Sequence, residues 1–242
     1  MWAEHRKELV TQGFSAVPGV VTGDLQALRN AMDDTTLVAG PSGYGRIVHD
    51  PWRSSAVLRR HLLTGVLPDL ARAMLGEPPV LFQDHLVSKT PGTVDAVKWH
   101  QDYSYWPLDR PIGLTMWIAL DDATQDNGCL NYLPGSHSQG ERQPADFVAG
   151  AVLGTAAELP PLVVDEAARV SVPVAAGTVL VHDPLVLHMS FGNSTTTARR
   201  AWSVSWVTET ARWRPSHAPH PYNYTLKPES GASLCTERFP RA

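Results

Sequence analysis

Cysteine is scarce in this sequence, since Cys129 and Cys235 are the only two among 242 residues. So small a number, so widely spaced, excludes a disulfide-stapled scaffold and a Cys-based zinc site, and fits a reducing compartment. Long apolar runs are also lacking, because none approaches the roughly 18 to 20 residues that cross a bilayer. The first residues, MWAEHRKELVTQGF, have no apolar middle of the kind found in signal peptides. We therefore expect a cytoplasmic protein with no membrane partner.

Clustered basic residues are missing as well. The formal net charge is -4 at pH 7, and no run of Lys and Arg interrupts the chain. Because phosphate binding needs clustered cations, nucleic acid is not expected as a partner. Arg outnumbers Lys by 16 to 4, and Ala, Pro and Gly are plentiful. This usage is typical of a GC-rich bacterial genome. No internal repeat is visible, which argues against solenoids and propellers.

The first third of the chain has helical periodicity. In TGDLQALRNAMDD, apolar residues at i, i+3 and i+7 follow a capping Thr22 or Asp24. The segment RSSAVLRRHLLTGVLPDLARAMLGE carries a longer apolar stripe that begins at a Ser54 or Ser55 cap. Pro68 lies inside this stripe and is expected to divide it into two helices.

From residue 79 the period of the apolar positions changes from helical to two. In GLTMWIALD, every second residue from Leu114 to Leu120 is large and apolar, which predicts a strand buried on at least one face. The segments VLFQDHLVSK, ARVSVPV, GTVLVHD and AWSVSWVTE predict further short strands. Asn127-Gly128 predicts a hairpin turn. Together these patterns indicate a mainly β protein, a sandwich or jelly roll backed by helices.

We predict a single domain over residues 1–242. Residues 1–78 would form a mainly helical flank, residues 79–210 the jelly-roll core, and residues 211–242 an extended tail. The stretch 138–169 within the core has weak periodicity. Connections of this length are often lids or binding loops, although a partly disordered insertion would give the same pattern.

One short motif carries candidate ligands for a metal. In KWHQDYSYW, His100 and Asp102 stand two residues apart, so an extended chain would point both to the same side. His188 ends a short apolar strand in LVLHMSFGNSTTTARR. Two imidazoles and one carboxylate on one face of a metal are the arrangement of non-haem Fe(II) oxygenases. A zinc hydrolase would accept the same ligands, and His182 with His188 forms a competing pair.

An arginine beyond the second histidine strengthens the oxygenase interpretation. Arg199 stands 11 residues beyond His188, far enough for the chain to turn at Gly192-Asn193 and to return as the antiparallel strand that carries Trp202, Val204 and Trp206. A guanidinium there could bind the distal carboxylate of a dicarboxylic cosubstrate through two parallel hydrogen bonds, and Ser190 could add a hydroxyl. The alternative is an ordinary solvated hairpin strand.

Three runs together resemble a known family. KWHQD, TMWIALDDATQDNGCLNYLPGSH and LVLHMSFGNSTTTARR, in this order and at these distances, resemble the phytanoyl-CoA dioxygenase family of Fe(II)- and 2-oxoglutarate-dependent oxygenases. The resemblance covers roughly residues 80–207. It implies a double-stranded β-helix, a cupin-like jelly roll, with the iron site near one open end.

The resemblance also implies roles for individual residues. It assigns iron to His100, Asp102 and His188, and 2-oxoglutarate to Arg199 with Ser190. The weaker candidates for cosubstrate contacts are Trp117, Lys89 and Gln83. The implied reaction uses O2 and oxidises a C–H bond, with hydroxylation as the default outcome and cyclisation, desaturation or epimerisation as alternatives. Because the carboxylate ligand is present, halogenation is disfavoured.

The substrate is read from the aromatics that follow the metal pair. Tyr103 and Tyr105 would suit an apolar or aromatic ligand beside an open metal position. No basic patch favours an acyl-CoA, so a small apolar metabolite of secondary metabolism is the preferred class. The rival interpretation is a non-redox, metal-binding cupin that acts as an isomerase or binding protein. The sequence does not determine the oligomeric state.

Overall fold

A computed structural model describes residues 1–41, 43–145 and 158–242. The predicted lid or insertion at 138–169 therefore falls partly on residues 146–157, which lie outside the described residues. On either side of them, short 3-10 helices occupy Ser136–Gln139 and Glu166–Ala168.

Helices dominate the N-terminal part, as predicted. The helix bounds are α1 Ala3–Gln12, α2 Leu25–Asp33, α3 Ala56–Leu63, α4 Val66–Leu75 and α5 Pro221–Thr225. Ser55 caps α3, because its side chain accepts a hydrogen bond from the Leu58 amide. The predicted break at Pro68 is wrong: the chain breaks at Thr64-Gly65, and Pro68 lies in the first turn of α4. A proline is tolerated there because the first-turn amides have no helical partner.

Eleven strands of the described chain form two sheets. Their bounds are β1 Phe14–Val17, β2 Val38–Ala39, β3 Arg46–His49, β4 Pro79–Lys89, β5 Val97–His100, β6 Gly113–Ala119, β7 Leu130–Tyr132, β8 Val170–Val172, β9 Val179–His182, β10 His188–Ser190 and β11 Arg199–Thr208. The larger sheet has the order β1-β9-β6-β11-β4-β3-β2, and the smaller one β5-β10-β7-β8. All of their pairings are antiparallel. Three strands of the larger sheet thus come from the flank predicted as mainly helical.

The two faces of the larger sheet have different partners. Apolar side chains such as Leu86, Met116 and Trp202 point outward and pack against α1–α4 in the main core cluster. Their neighbours in sequence point inward, because side chains alternate across a strand. The molecule is therefore a mainly antiparallel jelly roll with a helical layer on one side, as expected.

Two predicted connections are different in the structure. Asn127-Gly128 does not close a hairpin, because β6 before it and β7 after it belong to different sheets. Nor does β11 return beside β10: it pairs with β4 and β6, while β10 pairs with β5 and β7. Turn chemistry signals a reversal of the chain, but it does not determine which strand the chain joins afterwards. As a consequence, Arg199 and His188 lie on different sheets of the sandwich.

The C-terminal tail packs against the end of the larger sheet. Trp213, Tyr222 and Phe239 join Phe82 and Trp106 in a second apolar cluster. Isolated bridges tie the tail to the body at Val80–Arg241 and Leu108–Trp213. Among the residues that the structure describes, no helix is both long and apolar enough to cross a bilayer.

Candidate active site

A cavity of about 500 Å³ lies on the inner face of the larger sheet. Every second residue of β4 from Gln83 to Lys89 lines it, because alternate side chains of a strand share one face. Apolar walls come from residues such as Val87, Trp117 and Met189. A concave, largely apolar space with a few convergent polar groups is the usual form of a small-molecule site.

The predicted metal ligands converge on one side of this cavity. One ligand atom each from His100, Asp102 and His188 lies within 4.8 Å of the other two. His100 ends β5, the extended Gln101 follows it, and Asp102 begins a 3-10 helix. His188 begins β10 and stands opposite His100 in the smaller sheet. The sheet register therefore joins the two parts of the site that are distant in sequence.

The hydrogen bonds orient both imidazoles toward a common point. Nδ1 of His100 lies 2.8 Å from the Lys98 carbonyl oxygen, and Nδ1 of His188 lies 3.0 Å from that of Val186. A carbonyl only accepts, so each Nδ1 carries the proton and each Nε2 has a lone pair. These Nε2 atoms lie 3.7 and 3.6 Å from Oδ1 of Asp102. The donor set fits a metal ion at this point.

The second oxygen of the carboxylate is held by neighbours. Thr115 donates its hydroxyl to Oδ2 of Asp102 at 2.6 Å, and Nε2 of His182 lies 3.1 Å from the same atom. The hydroxyl of Tyr132 lies 2.9 Å from Nδ1 of His182. His182 is thus engaged behind the carboxylate and stands outside the three-residue cluster. The competing pair of His182 with His188 receives no support from this geometry.

The electrostatics of the three groups suit metal binding. Burial lowers the pKa of His188 well below its ordinary value, and the nearby imidazoles of His100 and His182 add to this effect. Burial likewise lowers the pKa of His100. Burial alone would raise the pKa of Asp102, but His188 and His182 outweigh it and keep that pKa below its usual range. The site therefore holds two neutral imidazoles and one carboxylate at neutral pH.

Arg199 enters the cavity from β11 of the larger sheet, opposite the two histidines of the smaller sheet. It is 2% exposed, and its Nε and Nη1 atoms have no hydrogen-bond partner among the described residues. Its guanidinium lies 4.9 Å from the ring centroid of Trp117. Burial lowers the pKa of Arg199 to about 10, so the side chain stays charged at neutral pH. A buried, charged guanidinium with unpaired N–H groups fits a carboxylate ligand.

Lys89 and Ser190 complete this end of the cavity. Lys89 stands opposite Arg199 in the register of β4 and β11. Its amine donates to the hydroxyl of Ser190 at 2.9 Å and to the main-chain carbonyls of Ser190 and Phe191. Burial, with Arg199 as a second cause, lowers the pKa of Lys89 to about 7. The structure therefore brings Arg199, Ser190, Trp117 and Lys89 together at one end of the cavity.

Gln83 lies in another part of the cavity. It stands six residues before Lys89 on β4, about 20 Å along an extended strand. Its Oε1 atom lies 2.9 Å from Nε2 of His220. Gln83 is therefore not beside Arg199, and its predicted contact with the cosubstrate gains no support.

The two predicted substrate contacts have different positions. Tyr105 lines the cavity, donates its hydroxyl to the Ala145 carbonyl at 2.7 Å, and has its ring 6.2 Å from that of His100. Tyr103 is buried in the second apolar cluster, and its hydroxyl donates to the Leu108 carbonyl. It is absent from the described cavity lining. Only Tyr105 has a position that supports a substrate contact.

Several lining residues were not singled out from the sequence. Because side chains alternate along β4, the sequence could have predicted that His85 faces inward together with Gln83 and Lys89. Thr115 could have been found in the same way on β6. By contrast, His217 and His220 line the cavity from the tail, where no strand pattern announces a position. Only the packing of the tail brings them there.

Comparisons with known proteins agree with this geometry. The profile of the family described as phytanoyl-CoA dioxygenase (PhyH) matches residues 10–201. The chain is 36% identical over 138 residues to phytanoyl-CoA dioxygenase domain-containing protein 1 of Bos taurus, an alignment that covers 55% of the chain and 47% of the relative. The chain thus spans about half the length of the curated relatives it matches.

Solved structures resemble the whole chain. The carbocyclase SnoK from nogalamycin biosynthesis, described as non-haem and α-ketoglutarate dependent, superposes with a TM-score of 0.82 at 24% identity, covering 100% of the chain and 96% of SnoK. The epimerase SnoN in complex with Fe3+, α-ketoglutarate and nogalamycin RO superposes with a TM-score of 0.79 at 26% identity, covering 98% and 97%. Since the family profile matches most of the chain, the chain belongs to the phytanoyl-CoA dioxygenase family of Fe(II)- and 2-oxoglutarate-dependent oxygenases.

Proposed function

We propose that this chain oxidises a C–H bond of a small, predominantly apolar metabolite, with Fe(II), 2-oxoglutarate and O2. Hydroxylation is the default outcome, and cyclisation, desaturation or epimerisation are alternatives that begin at the same bond. The observation that carries the proposal is the pairing of two features in one cavity. Two imidazole Nε2 atoms and a carboxylate Oδ1 converge on one point, and an unpaired buried guanidinium faces the same space.

Each residue at the site has a role in this proposal. His100, Asp102 and His188 hold the iron. Arg199 binds the distal carboxylate of 2-oxoglutarate, and Ser190 adds its hydroxyl. When bound, iron and 2-oxoglutarate would supply, together with O2, the chemistry that oxidises the substrate and converts the cosubstrate to succinate and CO2.

The remaining residues position these groups and shape the space around them. The guanidinium of Arg199 lies over the ring of Trp117, which holds it in place through a cation–π contact. Lys89 donates to the main chain of Ser190 and Phe191, which keeps the serine hydroxyl beside the carboxylate site. The apolar walls exclude water, which strengthens the attraction between the guanidinium and a bound carboxylate.

The setting of the reaction is also a proposal. The two cysteines of the chain are unpaired, and this supports a reducing compartment such as the cytoplasm. Arg-rich usage supports a bacterial source. The resemblance to SnoK and SnoN, which are described as enzymes of nogalamycin biosynthesis, supports a role in secondary metabolism.

The test is anaerobic addition of Fe(II) and 2-oxoglutarate to metal-free protein. A chelated keto acid gives a weak visible charge-transfer band, which we expect in the intact protein. His188→Ala should abolish the band, and Arg199→Ala should weaken it at a fixed cosubstrate concentration. A protein that binds metal with no such band would instead be a non-redox cupin or a zinc hydrolase.

A further inference from the structure

Four polar side chains form a compact patch on the inner face of the larger sheet. Gln83 and His85 are two residues apart on β4, and Ser205 and Ser203 stand opposite them on β11. All four line the cavity. Adjacent strands are about 5 Å apart and alternate residues about 7 Å apart, so the patch measures roughly 5 by 7 Å. We call these four residues the inner polar patch.

The patch stands at a defined distance from the metal ligands. Thr115 pairs with Ser205 on the side away from Gln83, and its hydroxyl donates to Asp102. Two strand spacings separate Thr115 from Gln83, which is about 10 Å. A molecule with one carbon at the metal could therefore reach Gln83, on the far side of the patch, with a group about 10 Å away.

The hydrogen bonds of the tail determine what Gln83 presents to the cavity. The amide of Tyr222 donates to Nδ1 of His220 at 3.1 Å. The neutral imidazole then carries its proton on Nε2, which donates to Oε1 of Gln83 at 2.9 Å. The carboxamide N–H groups of Gln83 have no partner among the described residues. Gln83 is thus held with a donor available to a ligand.

Two other members of the patch, His85 and Ser203, are also uncommitted, whereas the hydroxyl of Ser205 lies 3.4 Å from that of Thr115. Nε2 of His85 is buried and has no hydrogen-bond partner in the described structure. Its ring meets the ring of His49 edge to face at 4.3 Å. The hydroxyl of Ser203 makes no hydrogen bond within the described ranges. A buried polar group without a hydrogen-bond partner raises the free energy of the protein. A ligand that forms hydrogen bonds to these groups therefore binds more tightly.

Among the residues that the structure describes, no fixed charge lines this part of the cavity. Among the described lining residues, the lysine and arginine side chains are Lys89 and Arg199, which lie near the opposite end of β4. The carboxylate of the described lining is that of Asp102, beside the metal point. An ionised group at the patch would lose its hydration without gaining a counter-ion.

We propose that the inner polar patch binds a neutral keto, hydroxyl or ether oxygen of the substrate, about 10 Å from the carbon that is oxidised. This inference rests on the proposed function and narrows its substrate class. The substrate is an uncharged, oxygen-bearing compound that is otherwise apolar. An acyl-CoA, a phosphate ester or a carboxylate would place its charge where no cation meets it.

The test uses four bicyclic probes and isothermal titration of the metal-free, 242-residue protein. The probes are naphthalene, 2-naphthol, 2-methoxynaphthalene and 2-naphthoate. We expect the two neutral oxygen compounds to bind about five to tenfold more tightly than naphthalene, as one or two hydrogen bonds allow. Gln83→Leu should remove this preference and leave the affinity for naphthalene unchanged. Val87→Ala, on the same face of β4, should weaken all four probes alike because it removes only apolar contact.

The remaining outcomes overturn the proposal. It fails if naphthalene binds as tightly as 2-naphthol, if no probe binds, or if Gln83→Leu weakens 2-naphthoate as much as 2-naphthol. Should Gln83→Leu not fold, Ser203→Ala provides the same comparison at a smaller side chain. The charge-transfer band is measured without any probe. A protein with the band but no preference for neutral oxygen loses only this inference, whereas a protein without the band loses the proposed function.

Discussion

Replacement of Arg199 by methionine is expected to weaken cosubstrate binding strongly and yet to stabilise the metal-free fold. The reason is that this guanidinium is buried without hydrogen bonds to Nε and Nη1. Burial lowers its pKa from 12.5 to about 10, which means that the charged side chain is destabilised in the folded protein by roughly 3 kcal/mol. The interaction with Trp117 offsets about 1–2 kcal/mol of this loss. A methionine of similar length removes both contributions.

Arg199→Met should therefore increase the free energy of unfolding by about 1–2 kcal/mol. For a domain of this size, this corresponds to a rise in melting temperature of roughly 2–8 °C. Thermal unfolding of the metal-free protein measures this rise. Binding of 2-oxoglutarate should weaken by about 100- to 1000-fold, because two charge-assisted hydrogen bonds to a carboxylate are lost. Arg199→Lys should lie between the two proteins, since it keeps the charge and loses the paired geometry. Anaerobic calorimetry on the Fe(II) form measures these affinities.

Arg200 is a matched control, because it is the next residue of β11 and points to the opposite face. Its guanidinium already has partners, with Nε and Nη2 each 2.9 Å from an oxygen of Asp121. Arg200→Met should therefore lower stability by roughly 1–2 kcal/mol and leave cosubstrate affinity unchanged. The reasoning is refuted if Arg199→Met destabilises the metal-free protein, or if both variants bind 2-oxoglutarate as the unmodified protein does.

Three further predictions follow from single contacts. Thr115→Val removes the hydroxyl donor to the carboxylate ligand and should weaken Fe(II) binding by about 10- to 100-fold in an anaerobic titration; unchanged affinity would show that the hydroxyl does not orient the ligand. Gly43→Ala places a Cβ 2.2 Å from a backbone carbon at φ +84°, and we expect a loss of about 3 kcal/mol or more in urea unfolding. Gly19→Ala, at φ +70° with nothing within 4 Å, should cost only about 1 kcal/mol, and equal losses would contradict the steric argument. Because burial and nearby His49 lower the pKa of His220 to about 3, the unfolded chain binds a proton below about pH 6.5 that the native protein does not. His220 should therefore contribute a loss of about 2 kcal/mol in stability between pH 6.5 and 5, in addition to the losses from His85 and His188, whose pKa values burial also lowers. His220→Phe should reduce the total fall by about that amount in denaturation measured at both pH values.

The chemistry of the site was accessible from the sequence because its residue types are restrictive. Few combinations other than two histidines and a carboxylate serve a metal that needs open positions. The spacing of His100 and Asp102 is local, so an extended chain suffices to bring them to one side. Local periodicity also predicted the helical segment that starts at Ser55 and the strands that carry Trp117 and Trp202.

Other features depended on contacts between distant segments. The alternation of side chains along β4 predicts which of its residues face inward. The pairing of β11 with β4 and β6, however, is decided by how complete sheets close over a core. That pairing places Arg199 across the cavity from His188 and sets Ser203 and Ser205 beside His85 and Gln83.

The sequence by itself determined the family, the candidate metal ligands and the jelly-roll class, because these depend on residue type and short spacing. Only the tertiary structure decided which polar groups face the cavity without a partner. The orientation of Gln83, for example, follows from His220 in a tail that no local pattern places. Hydrogen bonds between residues more than a hundred positions apart form only when the whole core has packed, so no local pattern encodes them.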